Sequence, residues 1–333
     1  MTNKYAKAHP LDRTRGFCNM RVFMSIFMSL FILILFFKSS ESAALWVSEG
    51  LTLCVRRLIP SLFPFIALSS LIASSGLGTV FGRILRAPFN ALFGIGGEGA
   101  CAVILGWLCG FPVGAKCACE LYGDSKLTSA EYKRILCICG TPSPAFLVGT
   151  VGEAMLGSQQ SGVWLYVLSI VSAAAVGIAL RLLGGDASAP QTDVAGICST
   201  SEHVSFARSL TRAISDSAGG MLCICAFVVF FSAFLGVLES SLSFLDLSEA
   251  SDCLLFSFFE LTSGLSRICS SRLPHAFPIC ALSVGWSGLS VHFQTMAICG
   301  DRSPSFSLYI LCHLIRALLC FILAFVANTF LAI

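Results

Sequence analysis

From residue 273 to residue 300 the chain runs 28 positions without a formal charge. As one straight helix that segment would reach roughly 42 Å, more than the roughly 30 Å of a bilayer's hydrocarbon core. Comparable apolar runs cover residues 22–37, 59–75, 99–115, 163–180, 217–238 and 304–333. Lipid offers no partner to a backbone N–H or C=O, so segments of this kind must be helical to be stable. The expectation is an all-α polytopic membrane protein with the lipid bilayer as its first partner. Composition agrees: 56% of the residues are hydrophobic and 12% are charged, where soluble domains carry about 25% charge. A net charge of +3 with no basic stripe and interleaved aromatics argues against a nucleic-acid partner.

Some of these runs are interrupted. Residues 99–122, GACAVILGWLCGFPVGAKCACELY, are broken at Gly110-Phe111-Pro112-Val113-Gly114, just ahead of Lys116. Glycine and proline stop a helix, and Pro112 also removes a backbone donor. Broken backbone inside a membrane survives only where protein or a water-lined cavity covers it. The stretch therefore reads as a re-entrant hairpin, one short helix in and one out. Gly288-Leu289-Ser290-Val291-His292-Phe293-Gln294 aligns with residues 110–116 at an offset of 178, with glycine and valine identical. Folding residues 273–300 at that cluster gives two arms of about 13 residues that reach mid-depth and return. Interrupted apolar segments at matching places in two halves mark the binding site of a transporter. A further break lies at Gly140-Thr141-Pro142-Ser143-Pro144, because two prolines at i and i+2 cannot sit in an unbroken helix.

Taken in order, Lys4, Lys7, Arg13, Arg15 and Arg21 precede the first span, and no small-residue cleavage site follows it, so it reads as retained. Residues 43–57 carry Trp46, Glu49, Arg56 and Arg57 and read as an interfacial helix, followed by a span kinked at Pro60 and Pro64. Residues 81–88 are basic and amphipathic, which suits the membrane surface. Thr128 and Glu131 form a capping box for a helix that crosses at 135–156 through the second break. Residues 253–266 are too short to cross and are expected along the outer surface. Six spans and two hairpins result, arranged as inverted repeats. Residues 1–57 hold the N-terminus, first span and interfacial helix; 58–183 form one repeat, 184–211 a polar linker and 212–333 the second repeat. Lysine and arginine collect at 83–86, 126–134 and 181–212, whereas 239–252 is acidic, so the former and both termini are expected in the cytoplasm.

Seventeen cysteines fall mostly inside apolar runs, where the thiol acts as a small hydrophobe. Cys117/Cys119, Cys137/Cys139 and Cys223/Cys225 lack a histidine or second pair at zinc-finger spacing. Five dispersed histidines add no metal site. No cofactor is expected. The absence of Ser-His-Asp, HExxH and P-loop patterns leaves no support for an enzyme.

An ordered set of motifs carries a resemblance. GFPVGAK-x3-ELY, LTSAEYKRIL, CGTPSPAFLVGTVG, FFELTSG and GWSGLSVHFQ resemble those of the YlbJ (SpoVV) sporulation integral membrane proteins, over roughly residues 45–330. Those proteins carry a nucleoside-recognition, or Gate, type of domain and are similar in architecture to concentrative nucleoside transporters. Where that family has Asn-Pro, this chain has Ser143-Pro144. The resemblance implies transport of dipicolinic acid from the mother cell across the outer forespore membrane of a sporulating bacterium.

Charged groups at membrane depth are functional candidates. Lys116 suits an anion, with snorkelling or pairing to Glu120 as its alternatives. The free N–H groups opening the second arm of a hairpin suit an anion too. Arg316 falls near mid-depth of the last helix, and a structural ion pair is its alternative. Glu260 and Thr262 suit a coupling cation, H⁺ or Na⁺; a surface carboxylate paired with Arg267 is the other reading. Gly110, Phe111, Pro112, Gly114, Gly288 and Ser290 at the tips, Ser143 and Pro144 at the break, and His292 and Gln294 complete the substrate set. A nucleoside carrier and a non-transporting scaffold of spore-envelope assembly remain as alternatives, and a homo-oligomer is left open.

Overall fold

Gly110 ends one short helix and starts the next. Its φ of +92° lies where glycine alone sits without strain, and the chain reverses there. The structure, a computed structural model, describes residues 10–74, 77–184, 206–242, 244, 248–271 and 273–331. Residues 1–9, most of the expected linker (185–205), and Asp246 and Arg272, which bear on the expected sidedness, lie outside the described residues.

Among the described residues every regular element is helical. In order they are α1 (Pro10–Lys38), α2 (Ser40–Leu53), a π-helical turn (Cys54–Leu58), α3 (Ile59–Ser74), α4 (Leu77–Phe93), α5 (Gly97–Cys109), α6 (Phe111–Gly123) and α7 (Ser129–Cys139). A π-helical segment (Ala145–Met155) follows, then α8 (Gln159–Gly184), α9 (Phe206–Leu242), α10 (Glu249–Phe259), α11 (Leu261–Ser270), α12 (Ala276–Trp286), α13 (Leu289–Cys299) and α14 (Phe306–Leu331). Five segments are long and apolar enough to cross a membrane: Ser40–Leu68, Gln159–Gly184, Phe206–Leu242, Ala276–Arg302 and Phe306–Thr329. A sixth exists if the end of α4 and α5, bent at 89°, count as one.

The first hairpin is present as α5 and α6. The arms pack side by side, and a Cβ on Gly114 would lie 2.6 Å from Gly106 Cα, so small residues on both arms let them close. Each arm, of 13 residues, is about 20 Å long and cannot cross alone. The capping box also forms, with the Glu131 N–H donating to Thr128 Oγ1 at 3.2 Å and the Thr128 N–H to the Glu131 carboxylate at 3.0 Å. The other Glu131 oxygen accepts the Gly96 N–H at 2.9 Å, tying the foot of the hairpin to α7.

The second hairpin is elsewhere than the sequence suggests. α12 and α13 do not pack on each other; they follow one another as the single long segment Ala276–Arg302. The pair that folds back is α10 and α11, turning at Glu260. A Cβ on Gly264 would lie 2.3 Å from Ser257 Cα, the counterpart of Gly106 against Gly114. Residues 253–266 thus fold back on themselves as a helical pair with their neighbours, and Ala276–Arg302 is long and apolar enough to cross a membrane as one segment. Contacts past residue 300 agree: Arg302 Nη1 donates to the Cys119 carbonyl at 3.1 Å and Tyr132 Oη to the Arg302 carbonyl at 2.8 Å. The end of α13 therefore shares a face with the foot of the first hairpin. In chain order, the helical pair α5–α6 is followed by α7, its π-helical continuation and α8, and the pair α10–α11 by α12, α13 and α14. The offset of 178 matched a hairpin tip to a helix break.

Residues 43–57 also depart from expectation. They are no separate interfacial helix but part of the apolar segment Ser40–Leu68, with α2 packed along α9. Pro60 and Pro64 cannot donate to the carbonyls four residues back. The π-helical turn just upstream, Cys54–Leu58, takes up the mismatch and the helix continues. Two apolar cores result. One, with Leu147, Leu165, Leu265 and Val284, surrounds the meeting point of the two repeats. The other, with Val103, Ile135 and Leu136, locks the first hairpin onto α7.

Candidate functional site

Each hairpin tip touches the helix break of its own repeat. In the first repeat, a Cβ on Gly110 would lie 3.2 Å from the Ser143 nitrogen. In the second, Gly288, with φ +83°, lies against the other tip: a Cβ there would be 2.8 Å from the Leu261 nitrogen. Glycine occupies the tip in one repeat and the break in the other, and the close approach is the same. An indole braces each pair. Trp107 Nε1 donates to the Ile138 carbonyl and Trp286 Nε1 to the Phe258 carbonyl, both at 2.9 Å.

Glu260 makes the second tip. Its backbone is extended and its carboxylate caps α11, Oε1 accepting the Thr262 N–H at 3.0 Å and Oε2 the Ser263 N–H at 2.6 Å. The side chain is buried. Among the described residues no lysine or arginine pairs with it. Arg267 instead pairs with Glu239 at 2.9 Å and with Asp252, and lies 3.5 Å over the Phe256 ring. The reading of Glu260 as a surface carboxylate held by Arg267 is therefore excluded.

Both hairpin tips, the break at Pro142-Ser143 and the start of α13 converge on one cavity of about 60 Å³. Gly110, Phe111, Ser143, Glu260, Thr262 and Gln294 line it. Its remaining wall is apolar, from Leu62, Ile66, Phe146, Ile224 and Val228. A larger cavity of about 820 Å³ adjoins it, sharing Ile66, Ile224 and Gln294. That vestibule carries Lys116, Lys126 and Arg212 against Glu98, Glu120, Asp124 and Asp216. Lys116 is exposed there, one turn past the first tip, with no ion pair to Glu120.

The other expected residues serve the cavity indirectly or lie apart from it. Gly114 is consumed in closing the first hairpin. Pro144 precedes the π-helical segment, and Pro112 sits in the first turn of α6. Ser290 is buried and accepts from Gln294 Nε2 at 3.3 Å, which orients the glutamine that lines both cavities. His292 is buried behind the break, with Nδ1 3.2 Å from Tyr309 Oη and its ring edge-on to Trp286. Arg316 is fully buried in the same polar cluster; Nη1 donates to His313 Nε2 at 3.1 Å and to the Cys137 carbonyl at 3.4 Å. It lines neither cavity. The apolar wall from α3 and α9 was not foreseen, since its residues look like any others in a span. Among the described residues no cluster could hold a metal ion, and no disulfide joins the described cysteines.

No family model matches the chain, and no solved structure matches it. A curated relative does: the chain is 24% identical over 298 residues to the sporulation integral membrane protein YlbJ of Bacillus subtilis (strain 168), covering 80% of this chain and 73% of that protein. Along four fifths of its length, then, the chain is similar to a sporulation integral membrane protein.

Proposed function

We propose that the protein is a solute carrier of the sporulating cell, holding a small organic solute between its two hairpin tips. The convergence of two tips, one helix break and the helix that follows the other break on one cavity carries this reading. Re-entrant and broken helices leave backbone donors and acceptors unpaired at mid-depth, which is costly in lipid unless something uses them. A scaffold for envelope assembly has no need of such an interior. Transport is then by exchange of the site between the vestibule, on the cytoplasmic face, and the opposite side.

The solute proposed is dipicolinate, on the strength of the family resemblance, with the outer forespore membrane as the place. Its two carboxylates need different partners in this cavity. One meets Glu260, and two carboxylates can share that space only with a proton between them. The solute would thus travel with H⁺, while its second carboxylate reaches the Gln294 amide and, in the vestibule, Lys116. A neutral solute such as a nucleoside is the second reading. It is favoured by one observation: among the described residues Glu260 is the sole carboxylate or basic group lining the tip cavity, and Arg316 is not there. Uptake of labelled dipicolinate and of a labelled nucleoside into liposomes holding the purified protein separates them. Acid-stimulated dipicolinate uptake supports the first. Nucleoside uptake alone supports the second, and uptake of neither sinks the tip cavity as a carrier site for these solutes.

A further inference from the structure

We propose that Cys119 and Cys299 form a dithiol site that a peroxide oxidises to a disulfide, stapling the first hairpin to the second repeat. The two Sγ atoms lie 2.9 Å apart, one on the return arm α6 and the other at the end of α13. A disulfide needs the two sulfurs at ~2.05 Å, and these two already face each other in direct contact. The elements that carry them already pack together, so closure requires no rearrangement of the fold.

The surroundings suit the chemistry. Tyr132 Oη lies 3.1 Å from Cys119 Sγ and donates to the Arg302 carbonyl at 2.8 Å, so one polar cluster holds the sulfur and the chain just past Cys299. The Arg302 guanidinium donates to the Cys119 carbonyl at 3.1 Å, placing a positive charge in the same cluster. Both cysteines are buried, yet Gly123 and Arg302 beside them are exposed, and Cys117 and Glu120 face the vestibule, so a molecule as small as hydrogen peroxide has a short path. The reaction balances in two steps. The Cys119 thiolate attacks one peroxide oxygen, giving a sulfenic acid and, after protonation of the leaving hydroxide, water. The Cys299 sulfur then attacks the sulfenic sulfur, forming the S–S bond and releasing a second water. Two electrons pass from the sulfur pair to the peroxide, and a thiol reductant reverses the bond.

Closure joins the first repeat to the second at the foot of the vestibule. In a carrier it would prevent those parts from moving apart, a consequence that rests on the transport reading; the bond itself does not.

The test treats the purified full chain with hydrogen peroxide, alkylates the remaining thiols, and identifies linked peptides by mass spectrometry. Expected is a Cys119–Cys299 linkage, lighter by two hydrogens, with joint loss of alkylation at both positions and recovery of both after dithiothreitol. The oxidised protein should melt higher than the reduced one, and Cys299→Ser should abolish that rise. Cys269 and Cys280, whose sulfurs are 3.8 Å apart on adjoining elements, give an internal comparison in the same sample. Undiminished alkylation of Cys119 and Cys299 after peroxide overturns the proposal, as does oxidation of Cys119 to a sulfinic acid with Cys299 still free. The wild-type measurement decides the matter even where the serine variant fails to fold.

Discussion

Gly288 presses its backbone directly onto Leu261. A Cβ at position 288 would stand 2.8 Å from the Leu261 nitrogen, and its φ of +83° with ψ of 147° is a conformation other residues adopt only under strain. This contact fixes the break between α12 and α13 against the tip of the second hairpin, and so sets one wall of the cavity. Gly288→Ala should cost about 1–3 kcal/mol from backbone strain alone and lower the melting temperature of the detergent-solubilised protein. Gly219→Ala is the control. It lies in α9 with nothing within 4 Å of the added carbon, so alanine's better helix propensity should leave stability equal or higher. Equal melting of the two variants would show that the contact at Gly288 does not hold the tip.

The first hairpin was legible because its turn is made of Gly110, Phe111 and Pro112 inside an apolar run, and the capping box at Thr128 was legible from spacing. The second hairpin was not. Its turn is Glu260 in an extended conformation, with no proline and no glycine at the tip. A break at Ser287-Gly288 looks locally like the one at Gly110, yet there the chain runs on. What separates the cases is the flanks: Gly106 with Gly114, and Ser257 with Gly264, place small residues on both arms near the turn. α12 instead spends its small residue, Gly285, against Ala317 of α14. The pattern of small residues about a tip was the available signal. The apolar wall of the cavity gave none, because Ile66, Ile224 and Val228 differ from their neighbours only in what they face.

Sidedness follows from the same distinction. Single cysteines placed at Asp124 and Arg302, in a chain stripped of its native thiols, should react with an impermeant maleimide from one face of the membrane. Cysteines at Glu249 and Ser270, the two feet of the second hairpin, should react from the other. Had residues 273–300 returned to the face they entered from, position 302 would label together with 270. That result would restore the two-armed reading of the segment.

Glu260 is the residue whose protonation the transport reading depends on. Both of its oxygens accept backbone N–H groups, and glutamine has only one oxygen to offer. Glu260→Gln should therefore lose part of the cap, about 1 kcal/mol, and fold with a modestly lower melting temperature. In liposomes its solute uptake should no longer respond to an imposed pH gradient. Persisting acceleration by an inward proton gradient in the folded variant would reduce Glu260 to a cap and move the coupling elsewhere.

Arg316 sets the last test, because its burial and its distance from the solute point in different directions. A charge held at membrane depth is a functional candidate, but this guanidinium lines neither cavity and spends Nη1 on His313 and the Cys137 carbonyl. The bond to Cys137 joins α14 to α7, the first half of the other broken helix, and the bond to His313 holds the guanidinium on its own helix. Hydrogen bonds to a charged group contribute about 1.5–3 kcal/mol, and a lysine ammonium cannot reproduce the planar fork that makes them. Arg316→Lys should consequently lower yield and melting temperature, while the protein that does fold keeps its KM for the transported solute. The measurement is uptake against solute concentration, normalised to folded protein in the liposomes. A raised KM with unchanged melting would mean that the arginine reaches the solute in another state of the transport cycle, and that the cavity extends past His292 to meet it.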